Sequence, residues 1–264
     1  MEDNIYLPFK SKIMSITSQT DIDYTFRMEF IGEVKPGQFF EVSIPKYGEA
    51  PISVCEIGDG YVDLTIRRVG VVTDVIHTFF PGDTLFMRGP YGNGFDINLY
   101  KGKELIVAAG GTGLAPVKGV VDYFSSNVDE VENFTLLSGF KSPQDILFKD
   151  DFKKWSKTIK TIVTVDKAEE GYGGNTGLIT NYVKDIYIEN ADNTDVIIVG
   201  PPIMMKFTVA EFMKNGIKEE NIWVSYERKM CCGLGKCGHC KVNDTYICLE
   251  GPVFNYTKGK ELID

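Results

Sequence analysis

The stretch Glu104-Leu105-Ile106-Val107-Ala108-Ala109-Gly110-Gly111-Thr112-Gly113-Leu114-Ala115-Pro116 is where the pattern of the chain changes. Its first half is a nearly continuous apolar run, the signature of a strand buried on both faces of a parallel sheet. Its second half is a glycine-rich turn that opens a helical stretch. Glycines at such a turn let the backbone approach a pyrophosphate, and the helix N-terminus behind them favours its charge. Pro116 falls in the first helical turn, where a missing N–H costs nothing. The pattern is not G-x-G-x-x-G, and a plain tight strand-to-helix turn is the structural alternative.

Downstream, the same type of strand recurs at 134–139, 161–165 and 195–200, with helices predicted over 115–126, 145–157, 177–188 and 202–215. Strands alternating with helices imply parallel pairing. Gly200-Pro201-Pro202-Ile203-Met204-Met205 closes the last of these strands. Alone it reads as a proline-stopped strand. Beside the first turn it puts two strand C-termini around one crevice, the edge at which open α/β sheets bind ligands.

Upstream, residues 1–100 read as short strands at 13–16, 24–30, 39–44 and 61–66, several alternating apolar with polar residues. Lys35-Pro36-Gly37, Gly58-Asp59-Gly60 and Pro81-Gly82-Asp83 supply turns. This spacing suggests an antiparallel barrel or sandwich. Ala50-Pro51-Ile52-Ser53, Arg67-Arg68-Val69-Gly70-Val71-Val72-Thr73 and Gly89-Pro90-Tyr91-Gly92 read individually as strand ends and a turn.

Of six cysteines, Cys55 stands alone and reads as a small buried residue, while Cys231, Cys232, Cys237, Cys240 and Cys248 crowd together near the C-terminus. Cys232-x4-Cys237-x2-Cys240-x7-Cys248 opens with the spacing of plant-type [2Fe–2S] sites. Gly233, Gly235 and Gly238 allow a loop to wrap a cluster with N–H groups turned to sulfur. A structural zinc knuckle is the alternative, although zinc sites favour two short paired spacings. Cys231 lies outside the spacing.

Lys and Arg total 28 against 37 Asp and Glu, a net charge of −9 over 264 residues. That charge disfavours nucleic acid and anionic membranes as partners. No apolar run approaches the roughly 18 residues of a membrane span, so no membrane insertion is expected. MEDNIYLPFK lacks the basic and apolar regions of a secretory signal, and a cytoplasmic setting is expected. There are two histidines. His77 reads as a half-buried structural residue and His239 lies inside the cysteine wrap. No hydrolytic triad is present.

In this order the pieces resemble the ferredoxin–NAD(P)+ reductase superfamily over essentially the whole chain. The resemblance implies an antiparallel flavin-binding β-barrel at 1–100, a parallel-sheet NAD-binding α/β domain at 101–226 and a small C-terminal [2Fe–2S] segment at 227–264. It implies FAD contacts at Pro51, Ser53, Arg67, Gly70, Thr73, Gly89 and Gly92, with Ser53 beside the flavin N5. Ala50 stands where the family carries an arginine for the pyrophosphate. For the nicotinamide nucleotide it implies Gly110, Gly111, Thr112, Gly113, Pro116, Gly139, Asp145, Gly200, Pro201 and Met204. Cys232, Cys237, Cys240 and Cys248 would hold the cluster.

Ser225-Tyr226-Glu227-Arg228-Lys229-Met230 running into the cysteines is similar to one subfamily of electron-transfer subunits. It serves dihydroorotate dehydrogenase, hydrogenases and anaerobic sulfite reductase. Tyr6-Leu7-Pro8, Asp23-Tyr24-Thr25-Phe26-Arg27, Glu49-Ala50-Pro51-Ile52-Ser53-Val54 and the short gap before Cys248 look most like the sulfite reductase B subunits, a branch that carries Ala at 50. That resemblance implies catalytic sulfite reductase subunits A and C as partners. Asp166, at the end of the third buried strand, suits a free ribose hydroxyl and favours NADH over NADPH, with Lys141 and Lys167 the nearby cations.

Overall fold

The computed structural model of the chain describes residues 6–262. The absence of a secretory signal was read partly on residues 1–5, which lie outside the described residues. The chain divides into two compact units. One comprises residues up to Phe95 together with Tyr226–Val253, and the other Asp96–Ser225 with the residues from Phe254 onward.

The first unit is built on β1 (Phe9–Ser18), β2 (Asp23–Glu29), β3 (Phe39–Ile44), β4 (Gly48–Gly58), β5 (Tyr61–Arg67) and β6 (Thr84–Tyr91), with helix α1 (Val71–Ile76) after β5. The strands close into a barrel in the order β1-β2-β5-β4-β3-β6, which decides between the barrel and the sandwich that their spacing allows, in favour of the barrel that the resemblance implies. On β2, Phe26 and Met28 are buried while Arg27 between them turns outward to pair with Asp63 at 2.8 Å. Ile13, Phe40, Val42, Leu64, Leu85 and Met87 join the barrel core. Each such side chain contributes about 1.5–3 kcal/mol by leaving water.

Ala50-Pro51-Ile52-Ser53 lies within β4, not beyond the end of a strand. From Gly48 to Ser53, β4 pairs with β3, and its pairing with β5 begins only at Val54. Pro51, which lacks an N–H, thus falls where one side of the strand has no ladder to complete.

In the second unit, β7 (Glu104–Gly110) and the helix α2 (Leu114–Ser126) enclose the glycine turn, and β8 (Asn133–Phe140), α3 (Lys149–Trp155), β9 (Lys160–Val165), β10 (Asn175–Thr176) and α4 (Thr180–Val183) follow. Then come β11 (Thr194–Val199), α5 (Pro202–Lys214) and β12 (Ile222–Ser225). Every residue of β7 and of β11 is buried, as the continuous apolar runs require. The predicted helix over 177–188 is regular only at α4. Around it Ile179, Val183 and Ile186 are buried while Leu178 and Tyr187 are exposed, so the stretch packs through one apolar face although its regular helix is short.

The cysteine-rich segment contributes the small antiparallel pair β13 (Lys241–Val242) and β14 (Thr245–Tyr246), then α6 (Ile247–Glu250). After it come β15 (Val253–Asn255) and α7 (Tyr256–Gly259). The parallel sheet is 7-stranded, in the order β10-β9-β8-β7-β11-β12-β15. The segment expected at 227–264 is therefore divided between the two units. Among the described residues no helix is long and apolar enough to cross a membrane.

Candidate functional site

The sheet order sets the first site. From β7 the chain winds outward through β8, β9 and β10, then returns to the other side of β7 with β11. The β7–β11 border is therefore the topological switch point, where a crevice opens at the strand carboxyl ends. Both glycine-rich turns lie there, because Ala109 pairs with Val199 in register.

The turns are packed backbone to backbone. A Cβ on Gly113 would stand 2.6 Å from the Val199 carbonyl oxygen and 2.8 Å from Gly200 N. One on Gly110 would meet Met204 Sδ at 2.9 Å and Pro201 Cδ at 3.2 Å. Gly111 differs: its φ of +55° demands glycine on conformational grounds, yet a Cβ there would meet nothing within 4 Å. Open space over a left-handed glycine, ahead of the α2 N-terminus, fits the approach of a pyrophosphate. Thr112 is half-buried in the turn and Pro116 is buried in the first turn of α2.

Gly139 stands in register with Gly110 at the end of β8. Asp145 accepts from the Ser142 hydroxyl at 2.6 Å, so its carboxylate organises its own turn. Asp166 follows β9 and is exposed, and its N–H donates to the Phe140 carbonyl at 2.9 Å. Lys141 and Lys167 are adjacent, linked by the Lys167 N–H to the Lys141 carbonyl at 3.1 Å.

In the barrel, strand register gathers the three stretches. Phe39 of β3 pairs with Ser53 on one side and with Tyr91 on the other. The Pro51–Ser53 and Gly89–Gly92 segments thus flank one strand, and all of these residues are half-buried where the flanking core is closed. Arg67 ends β5 and is gripped by buried Asp23, Nε to Oδ1 at 2.8 Å and Nη2 to Oδ2 at 3.0 Å. It is therefore a fixed donor whose charge is balanced, not a bare cation. The Thr73 hydroxyl accepts from the Val69 and Gly70 N–H groups and donates to the Gly70 carbonyl, all at 3.0 Å. Its local role is to shape the loop. A Cβ on Gly70 would meet nothing within 4 Å, so that loop's backbone faces open space.

Glu227, which sequence reasoning did not single out, faces the same region. Its side chain is open to solvent but ringed by protein. This crowding raises its carboxyl above the ordinary range, and Arg67 acts in the opposite direction. His77 bonds through Nε2 to the Ile66 carbonyl at 2.9 Å and packs on Tyr24. Buried Cys55 donates to the Asp63 carbonyl at 3.2 Å.

The cysteine thiols gather in one loop, with Cys232 acting on Cys237 and both Cys240 and Cys232 acting on Cys248. Backbone N–H groups point at the sulfurs: Leu234 and Lys236 to Cys232 Sγ at 3.3 and 3.4 Å, and Gly235 to Cys248 Sγ at 3.1 Å. The His239 N–H leads in lowering the Cys237 thiol, so this residue acts through its backbone. Burial, then the Cys240 thiol, pushes Cys248 up to about 12. Among the described residues no three His, Cys, Asp or Glu side chains converge as one metal ion would require. Thiols wrapped by backbone N–H donors fit an iron–sulfur group.

The cysteine loop is also held from the barrel side. Arg88 of β6 is 8% exposed. Its Nη1 donates to the Cys232 carbonyl and its Nη2 to the Cys231 carbonyl, both at 2.9 Å. Its Nη2 also contacts both Glu49 carboxylate oxygens at 2.9 Å. Asn93 donates to the carbonyls of Glu250 and Val253 at 3.0 and 2.7 Å. Sequence reading missed Arg88, Glu49 and Asn93 because no local motif marks them. Only pairing between strands distant in sequence brings them to the loop.

Comparison with known proteins agrees with this geometry. Residues 107–210 match the oxidoreductase NAD-binding domain, and residues 227–258 match the iron–sulfur cluster binding domain of dihydroorotate dehydrogenase B. The gamma subunit of sulfhydrogenase 1 from Pyrococcus furiosus is 36% identical over 272 residues, covering 96% of this chain and 92% of its own. A probable electron-transfer subunit of dihydroorotate dehydrogenase B from Methanocaldococcus jannaschii is 33% identical, covering 94% and 89%. The structure of an NADH-dependent reduced ferredoxin–NADP oxidoreductase shares the fold, with a TM-score of 0.78 at 24% identity over 96% of this chain and 92% of that one. The narrower resemblance to sulfite reductase, with subunits A and C as partners, finds no support among these relatives, which are subunits of other enzymes. By its motifs, its fold and these relatives, the chain belongs to the family of NAD-dependent flavin and iron–sulfur electron-transfer subunits represented by dihydroorotate dehydrogenase B, within the ferredoxin–NAD(P)+ reductase superfamily.

Proposed function

We propose that the chain passes electrons from NADH, by way of FAD and a [2Fe–2S] cluster, to a catalytic partner of the hydrogenase type. The observation that carries the cluster assignment is the Cys232-x4-Cys237-x2-Cys240-x7-Cys248 wrap whose Leu234, Lys236 and Gly235 N–H groups are aimed at Cys232 and Cys248 sulfurs. When bound, a flavin supplies the exchange between two-electron hydride donors and one-electron carriers.

The chain's own residues then have defined tasks. Gly110, Gly111 and Gly113 bring backbone N–H groups to the nucleotide pyrophosphate, and Gly200, Pro201 and Met204 wall the crevice. Asp166 accepts from the ribose hydroxyl, which favours NADH. Pro51, Ser53, Gly89 and Gly92 line the flavin side of the barrel, with Ser53 nearest the ring's N5. Arg67, fixed by Asp23, offers hydrogen bonds to the flavin's phosphate chain. The Gly70–Thr73 loop supplies backbone donors.

The sulfhydrogenase gamma relative supports a hydrogenase partner. The match at 227–258 favours a second reading, in which the partner is a dihydroorotate dehydrogenase. The test is anaerobic purification of the native complex. The expected chain is brown, releases FAD on acid precipitation, and contains two irons and two sulfides. Alone it reduces ferricyanide with NADH but turns over no partner substrate. Release of FMN only, zinc in place of iron, or substrate turnover by the isolated chain overturns the reading. Which catalytic subunit co-purifies decides between the two partners.

A further inference from the structure

We infer that Arg88, paired with Glu49, is a positioning residue that sets the reduction potential of the cluster from the outer face of the barrel wall. The inference rests on the cluster assignment above. A cluster held by the four thiolates would, on taking up one electron supplied by NADH by way of the flavin, become more negative by one charge. A nearby guanidinium favours that charge and a nearby carboxylate opposes it.

Arg88 is built into this position. It lies in β6, directly before the Gly89-Pro90-Tyr91-Gly92 segment that lines the flavin side. Its two Nη atoms hold the carbonyl oxygens of consecutive residues, Cys231 and Cys232, each at 2.9 Å. In planar trans peptides this turns the N–H groups of Cys232 and Gly233 to the opposite side. Arg88 thereby fixes two peptide dipoles at the first ligand of the loop. Tyr91 completes the seat: its hydroxyl accepts from Arg88 Nη1 at 3.3 Å. A Cβ on Gly233 would come within 2.5 Å of the Tyr91 ring, so the loop backbone rests on that ring.

The charges around Arg88 are few. Glu49 binds it directly. Glu41 stands across from it in the β3–β6 register and is fully buried. Neither Glu41 carboxyl oxygen has a hydrogen-bond partner in the structure. A carboxyl in that setting stays neutral, since an unpaired buried charge is too costly. The pair beneath the loop is thus one cation and one anion, and removing either member unbalances it in a known direction.

The experiment is a redox titration followed by electron paramagnetic resonance on the full chain, purified anaerobically with its cofactors. Arg88→Gln should lower the ratio of reduced to oxidised cluster at fixed ambient potential about tenfold, equivalent to about 59 mV for one electron. Glu49→Gln should raise that ratio, about threefold, because Glu49 is partly open to solvent. Arg88→Lys, which keeps the charge, should restore most of the loss. If Arg88→Gln does not retain iron, Glu49→Gln decides: a raised ratio supports the inference and an unmoved or lowered ratio overturns it. Opposite shifts for the two charge removals are not produced by a merely structural role. Unmoved potentials, or shifts of the same sign, overturn the inference. A wild-type chain without iron and sulfide refutes the cluster assignment instead.

Discussion

The nucleotide turns and the cysteine loop solve similar problems by opposite means. At the turns, Gly113 and Gly200 allow backbone to touch backbone, and the shape is held by the chain's own packing. In the cysteine loop the shape is imposed from outside, by Arg88 and Asn93 on one side and by whatever the thiols bind on the other. A preformed pocket should therefore fail through sterics, and a tethered loop through loss of its ligands.

The largest effect should come from Cys240→Ser. It should abolish the cluster, read as iron and sulfide content, while NADH still reduces the flavin at close to the wild-type rate. Cys231→Ser should keep the full complement. Iron retained in Cys240→Ser and lost in Cys231→Ser would show that the ligand set is wrong.

Next is Gly113→Ala, whose added carbon meets only backbone atoms that cannot give. It should cost about 3 kcal/mol, or roughly 6–12 °C in Tm, and weaken NADH binding. Gly111→Ala has room for its carbon but must hold a left-handed conformation, so it should cost about 1–2 kcal/mol. Equal losses at the two positions would erase the distinction between packed and open glycines.

Glu41 gives a pH test of the barrel side. Burial holds its carboxyl up to about 8, against 4.5 when unfolded. The folded state then binds more protons than the unfolded state between those values, so stability present below pH 4.5 declines as pH rises toward 8. Glu41→Gln should remove that decline and raise Tm at pH 8.5 by roughly 5 °C, with less change at pH 5. Parallel pH profiles for the two proteins would mean that Glu41 is already ionised in the fold.

The smallest expected effect is at Asp166. Asp166→Asn should reduce the preference for NADH over NADPH about fivefold, near 1 kcal/mol, in stopped-flow flavin reduction. No change would leave Asp166 as a turn residue only.

The same contrast governs what the sequence discloses. The nucleotide crevice is readable because its parts are contiguous: an apolar run, a glycine turn and a helix start within 104–116. The cysteine spacing is readable for the same reason. Strand β4 was harder, since Gly48 and Pro51 are poor strand formers and are tolerated only where β4 lacks its β5 neighbour. Strand β12 is four residues long and carries too little pattern to register. Arg67 illustrates a different limit. Its motif implies a flavin contact, while its partner Asp23 lies on β2, and only the β2–β5 register reveals the pairing. Arg88, Glu49 and Glu41 come from three strands and were invisible for that reason.

One further consequence follows from how the cysteine segment joins the barrel unit. The Tyr226 N–H donates to the Pro252 carbonyl at 3.0 Å, so the two ends of the excursion are tied side by side at a neck. A noose knotted at its base can slacken without loosening the knot. The thiols can thus change occupancy while the base of the segment stays tied.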